Sequence, residues 1–152
     1  MKRCIEAVAG VTLLVLAGPI LGATCTISSS PKLSFPNYDV FIAAPTTSSQ
    51  IAKFRCDVAS TTITIGIGTS ATSGSISNRQ MAQTPGTGRL NYNLYKDGGY
   101  SSLWGDGTAG TSALVVNTTA KTTSVPIYGK IDPGQDAPVG KYKDTVIVSV
   151  NP

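Results

Sequence analysis

An all-β fold, an antiparallel β-sandwich, is what this 152-residue sequence predicts, and three observations carry the prediction. Apolar and polar residues alternate with period two over several short runs, as strands with one buried face require. Turn-forming clusters separate the runs: Ala44-Pro45-Thr46-Thr47, Thr84-Pro85-Gly86-Thr87-Gly88, Lys96-Asp97-Gly98-Gly99, Gly105-Asp106-Gly107 and Asp132-Pro133-Gly134-Gln135. Helix signals are missing, since Glu6 is the only glutamate and Thr, Ser, Gly and Val dominate the chain after Ala23. About six or seven short strands spaced by such turns fit one sandwich domain.

Residues 1–23 read as a secretory signal peptide and residues 24–152 as the mature domain. Lys2 and Arg3 give a positive start, and Val8 to Leu21 is apolar but broken by Gly10, Gly18 and Pro19. Leu21-Gly22-Ala23 then offers a small residue for cleavage. The stretch is too short and too broken to favour a spanning helix, so no membrane span is expected after cleavage. Cys4 leaves with the leader, and Cys25 and Cys56 remain in a chain bound for an oxidising compartment. A disulfide between them is predicted, with two free thiols or a metal pair as the alternatives.

Gln50 to Cys56 is the first alternating run, with Ile51 and Phe54 near its apolar side. Thr61 to Ile67 sets Ile63, Ile65 and Ile67 against threonines, and Leu90 to Tyr95 groups Leu90, Tyr92 and Leu94. Between them, Ser70 to Ser77 reads as an exposed loop. Asn117-Thr118-Thr119 matches a glycosylation sequon and reads as an exposed turn. Ser124 to Tyr128 follows, and Lys143 to Val150 sets Val146, Val148 and Val150 against Thr145, Ile147 and Ser149.

Composition excludes most catalysis. The chain has no histidine, which removes a Ser-His-Asp triad, a Cys-His pair, a histidine zinc ligand and an imidazole base. Its single glutamate argues against a Glu-based glycosidase or metallopeptidase. No phosphate loop, cofactor signature or metal set is present in the pattern, and no enzyme is expected. The net charge of +4 is spread thinly, without a basic run interleaved with aromatics, so nucleic acid is not an expected partner. One loop invites a ligand: Asp97, Tyr100, Trp104 and Asp106 could present aromatic faces and carboxylates to a sugar. The plainer reading outweighs it, with two turn-forming aspartates and Trp104 packed on the core.

The end of the chain is the most informative segment. Lys143 to Val150 is a strong strand, and only Asn151 and Pro152 follow it. A sandwich of immunoglobulin type needs one more strand beside it. Either the sheet has an open, apolar edge or another chain fills it.

Several blocks resemble the spore coat protein U domain, a family that includes subunits of archaic (Csu-type) chaperone–usher pili. They are Leu90-Asn91-Tyr92-Asn93-Leu94-Tyr95-Lys96-Asp97 with Trp104-Gly105-Asp106-Gly107, then Val125 to Ile131, then Gly140 to Val150. The resemblance runs from Cys25 to the C-terminus, and the placement of Cys25 and Cys56 fits it. It implies an incomplete immunoglobulin-like sandwich whose last strand is supplied in trans, and a secreted subunit of a surface fibre involved in adhesion and biofilm formation. The implied route is through the periplasm, with a pilus chaperone, an outer-membrane usher and other subunits as partners. Val146, Val148 and Val150 would line the groove that receives the chaperone's or a neighbour's strand, and Tyr142 would fix the corner before it. Only Thr24 would precede Cys25 after cleavage, so this subunit is expected to accept a strand without donating one, as at a fibre tip. Two rivals stand beside this expectation. One is a stand-alone coat or matrix protein closed by its own segment Thr26 to Val40; the other is a small carbohydrate-binding module using Tyr100 and Trp104.

Overall fold

Threonine and isoleucine alternate with little interruption before Ser70, and that run becomes the central strand of the smaller of two sheets. The computed structural model describes residues 22–29 and 31–152, so nearly all of the expected leader, residues 1–23, lies outside the described residues. The strands are β1 (Cys25–Ser29), β2 (Thr46–Cys56), β3 (Thr62–Ser70), β4 (Arg79–Gln83), β5 (Arg89–Tyr95), β6 (Leu114–Asn117), β7 (Thr122–Ile131), β8 (Tyr142–Lys143) and β9 (Val146–Asn151). They form a six-stranded sheet in the order β1-β2-β7-β5-β4-β8 and a three-stranded sheet in the order β6-β3-β9. Every strand pair is antiparallel. No helix occurs among the described residues. The inner faces meet in a core of Ala52, Phe54, Ile63, Ile65, Ile67, Leu90, Tyr92, Leu94, Trp104, Val125, Ile127 and Ile131.

Period-two patterning places most of these side chains, and the β3 and β5 faces are as expected. The β2 face is not. Ile51 is about half exposed, and Ala52, Phe54 and Cys56 point inward. Ile51 and Phe54 are three residues apart, and a strand sends such a pair to opposite faces. Three strands lie beyond the runs named from sequence. β1, β4 and β6 are four or five residues long, too short for alternation to stand out.

The Ser70–Ser77 segment is not simply an exposed loop. Ser70 ends β3 and is buried, its hydroxyl accepting from the backbone N–H groups of Thr72 and Ser73 and donating to Gln80 O. Ile76 is buried beside it. Nor is the sequon a turn: Asn117 closes β6, and the hydroxyl of buried Thr118 donates to Thr61 O at 2.7 Å.

The last run divides in two. Tyr142 and Lys143 pair with β4 in the large sheet, and Val146 to Asn151 pair with β3 in the small one. Asp144 makes the switch, since its carboxylate accepts from the Thr72 N–H, the Thr72 hydroxyl and the Tyr92 hydroxyl. A side chain saturated this way holds its backbone out of either ladder.

Cys25 and Cys56 are bonded and face each other across the β1–β2 ladder. Their separation of 31 residues makes the closed loop worth about 3.7 kcal/mol in the chain-entropy account. The Cys25→Ser/Cys56→Ser double variant should therefore lose about that much stability against urea, with the refolded wild-type oxidised chain as reference. A loss below about 1 kcal/mol would show that the loop is already constrained without the bond.

Candidate functional site

β9 is an edge strand. One side pairs with β3, with Val148 opposite Ile67 and Val150 opposite Ile65, and no described strand pairs with the other side. Across from that free edge runs Pro31–Phe41, an extended stretch that joins no ladder. Its order comes from side chains. Leu33 and Phe35 turn inward over Gly129, where any Cβ would collide with both rings and branches, so glycine at that position permits the close approach. Phe35 meets Tyr92 edge-on at 6.1 Å. Ser48 donates to Ser34 O at 2.6 Å, and the Tyr38 hydroxyl accepts the Gln135 N–H at 2.8 Å.

Between these two walls the core lies open. A cavity of about 260 Å³ is lined by Ile27, Leu33, Ile67, Leu94, Ile127, Val146 and Val148, with Pro31 and Gln50 at its rim. It continues into a channel of about 1260 Å³ floored by Met81, Leu90, Tyr92 and Ile131, with Phe41 and Val139 among its lining residues. The walls thus offer unpaired backbone edges and the floor offers apolar side chains. That is the arrangement a β-strand needs in order to be added.

The structure places the sequence-derived residues unequally. Val146, Val148 and Val150 are all half-buried on the inward face of β9. Val146 and Val148 line the cavity, whereas Val150 packs farther along the core. Tyr142 closes the corner by donating from its hydroxyl to Pro138 O at 2.6 Å. The segment Thr26 to Val40 supplies β1 and one wall, and the cavity persists beside it.

The supposed ligand loop does not assemble. Trp104 is wholly buried, and its indole N–H donates to Ile65 O at 2.9 Å, so no ring face is open to a sugar. Asp97 instead organises its own turn, accepting from the N–H groups of Ser101 and Ser102. Those backbone bonds, Ser101's first, hold its carboxyl below the ordinary aspartate value. Asp106 does the same for Thr108, whose hydroxyl and N–H lower its pKa in that order. Tyr100 adopts a φ of 56° and sets its ring edge-on to Tyr95 and Tyr128 at 5.5 and 6.5 Å. Asp97 and Asp106 are accounted for by their own turns, and Tyr100 and Trp104 by packing against distant residues.

Sequence reasoning missed two contributors. The first is the Leu33-Ser34-Phe35 alternation, a visible period-two signal flanked by Pro31 and Pro36. The second is Arg79, fully buried at the head of β4. Its guanidinium donates to Ile67 O at 3.0 Å, to Gly68 O at 3.0 Å and to Trp104 O at 2.9 Å. Burial lowers its pKa, with Tyr92, Asp144 and Asp106 acting in the opposite sense. Tyr92 is pushed strongly upward, first by burial and then by its bond to Asp144. No single-residue pattern announces a buried arginine.

Comparison with known proteins agrees with this geometry. Protein U of Myxococcus xanthus is 30% identical over 142 residues, spanning 86% of this chain and 78% of that protein. A chain of the chaperone–tip adhesion subunit pre-assembly complex from the archaic chaperone–usher Csu pili of Acinetobacter baumannii shares the fold. It superposes with a TM-score of 0.57 at 22% identity, covering 84% of this chain. This chain spans 39% of that one. Residues 11–149 match the Spore Coat Protein U domain, and the chain belongs to that family.

Proposed function

We propose that the chain is an exported structural subunit of a chaperone–usher surface fibre, and that it works by accepting a β-strand into the groove beside β9. The observation that carries this reading is the pairing of two unladdered edges, β9 and Pro31–Phe41, over an apolar cavity. A strand laid between them would satisfy both edges and drop alternate side chains onto Ile67, Leu94, Ile127, Val146 and Val148. Four or five such side chains, at roughly 1.5–3 kcal/mol each, give on the order of 6–15 kcal/mol as an upper bound. In this reading residues 1–23 direct export, a periplasmic chaperone lends the strand first, and another subunit replaces it after passage through an outer-membrane usher. The subunit ends on the cell surface, in a terminal position, with adhesion as the fibre's task.

Leu33 and Phe35 favour a second reading, since they already cover part of the core from within the chain. A stand-alone coat protein would need no more than that. Periplasmic expression with and without a cognate chaperone separates the two. Recovery only as a one-to-one complex with the chaperone is the expected outcome. A chain recovered alone, monomeric and melting cooperatively would favour the coat protein.

A further inference from the structure

We infer that the groove selects its strand by charge as well as by apolar spacing, taking a segment that is apolar at one end and acidic toward the other. This inference rests on the donor-strand reading above. The groove is electrostatically lopsided. No charged residue lines the cavity beside Val146 and Val148. The channel beyond it is rimmed by Lys32, Lys141 and Lys143, all exposed. Two carboxylates share that channel: the charge of Asp144 is offset by the buried Arg79, which leaves Asp39, bonded to the Phe41 N–H at 2.9 Å, as the one acid set against three lysines. Among the described residues none of the three lysines makes an ion pair.

Three unpaired ammonium groups along one stretch of a strand-shaped slot favour carboxylates on the solvent-facing side of whatever fills it. Lys143 lies in β8, across the sheet switch at Asp144 from Val146 and Val148 in β9. The partner is thus a strand with a large aliphatic residue in the cavity and Asp or Glu toward the lysine-rimmed end. Charge at one end only also fixes the direction in which the strand lies, because reversal would bring its acids beside the uncharged cavity.

The test uses the refolded oxidised chain, freed of any chaperone, and three synthetic peptides of alternating Val and Thr with one Ile anchor. They differ only at two solvent-facing positions past the anchor, which carry Asp, Asn or Lys. Fluorescence anisotropy at low salt should rank them Asp, Asn, Lys, with about tenfold between the extremes. The gap should shrink to about twofold at 0.3 M salt, where exposed charges are screened. It should shrink likewise in the Lys32→Gln/Lys141→Gln/Lys143→Gln variant. Equal affinity for all three peptides would overturn charge selection and leave strand acceptance standing. A ranking that survives in the triple variant would also overturn it, because the lysines would not be its source. Binding of none of them would overturn strand acceptance itself.

Discussion

Fusing a donor segment of alternating Val and Thr to the C-terminus through a short Gly-Ser linker should raise the unfolding midpoint by about 15 °C or more. The estimate starts from the cavity of about 260 Å³ and its lining by Leu33, Ile67, Leu94, Ile127, Val146 and Val148. A strand that places two large aliphatics there and two or three more along the channel removes those side chains from water, together with the half-buried faces of Leu33, Val146 and Val148. Even a third of the upper bound, about 5 kcal/mol, shifts a domain of this size by roughly 3 °C per kcal/mol. Backbone pairing with β9 adds order to an edge that otherwise invites self-association. Replacing the anchoring aliphatic of the fused segment by Asp should remove most of the gain, since an unpaired carboxylate would enter an uncharged cavity. Thermal unfolding followed by circular dichroism measures both. An unchanged midpoint for the apolar fusion would mean that Leu33 and Phe35 already close the core and that the slot accepts nothing.

Arg79→Met should cost roughly 3–5 kcal/mol, the largest loss expected from any single substitution outside the apolar core. The reason is asymmetric. Methionine would fill much of the volume, but the carbonyls of Ile67, Gly68 and Trp104 would remain buried with one fewer donor each. The Ile67 and Gly68 carbonyls lie where the β3–β9 register slips between Ile67 and Ser70, so the guanidinium occupies the irregularity that neighbouring strands cannot satisfy. Arg79→Lys should recover only part of the loss, because Nη2 reaches all three carbonyls while Nε adds a second bond to Gly68 O, and one ammonium cannot replace both nitrogens. Urea unfolding at constant slope reads the difference directly. A loss under about 1 kcal/mol for Arg79→Met would show that these carbonyls find water or another donor once the side chain is gone.

Both expectations turn on residues that sequence patterning treats very differently. Ile63, Ile65, Ile67, Leu90, Tyr92, Leu94, Val146, Val148 and Val150 were legible because a strand's two-residue period converts an alternating string into one buried face, whatever it packs against. The disulfide was legible because the two cysteines that remain after the expected leader leave one pairing. Ile51 was misassigned by ignoring that same period. The ligand loop failed for another reason: Trp104 in a glycine-rich turn looks alike whether its ring faces solvent or the core. Only the carbonyl of Ile65, thirty-nine residues away, decides which.

The local alternation of the sequence therefore determined the fold class, the composition of the core and the inward face of the last strand, because each depends on backbone geometry within a few residues. Tertiary structure alone decided three further things. It broke Lys143–Val150 between two sheets, because Asp144 finds its partners at Thr72 and Tyr92. It buried Arg79, because β3 carries carbonyls that no neighbouring strand can pair. And it left Pro31–Phe41 as a wall, not a filler, because Leu33 and Phe35 find Gly129 before its backbone finds β9. All three depend on contacts between residues distant in the chain, which no local pattern can encode.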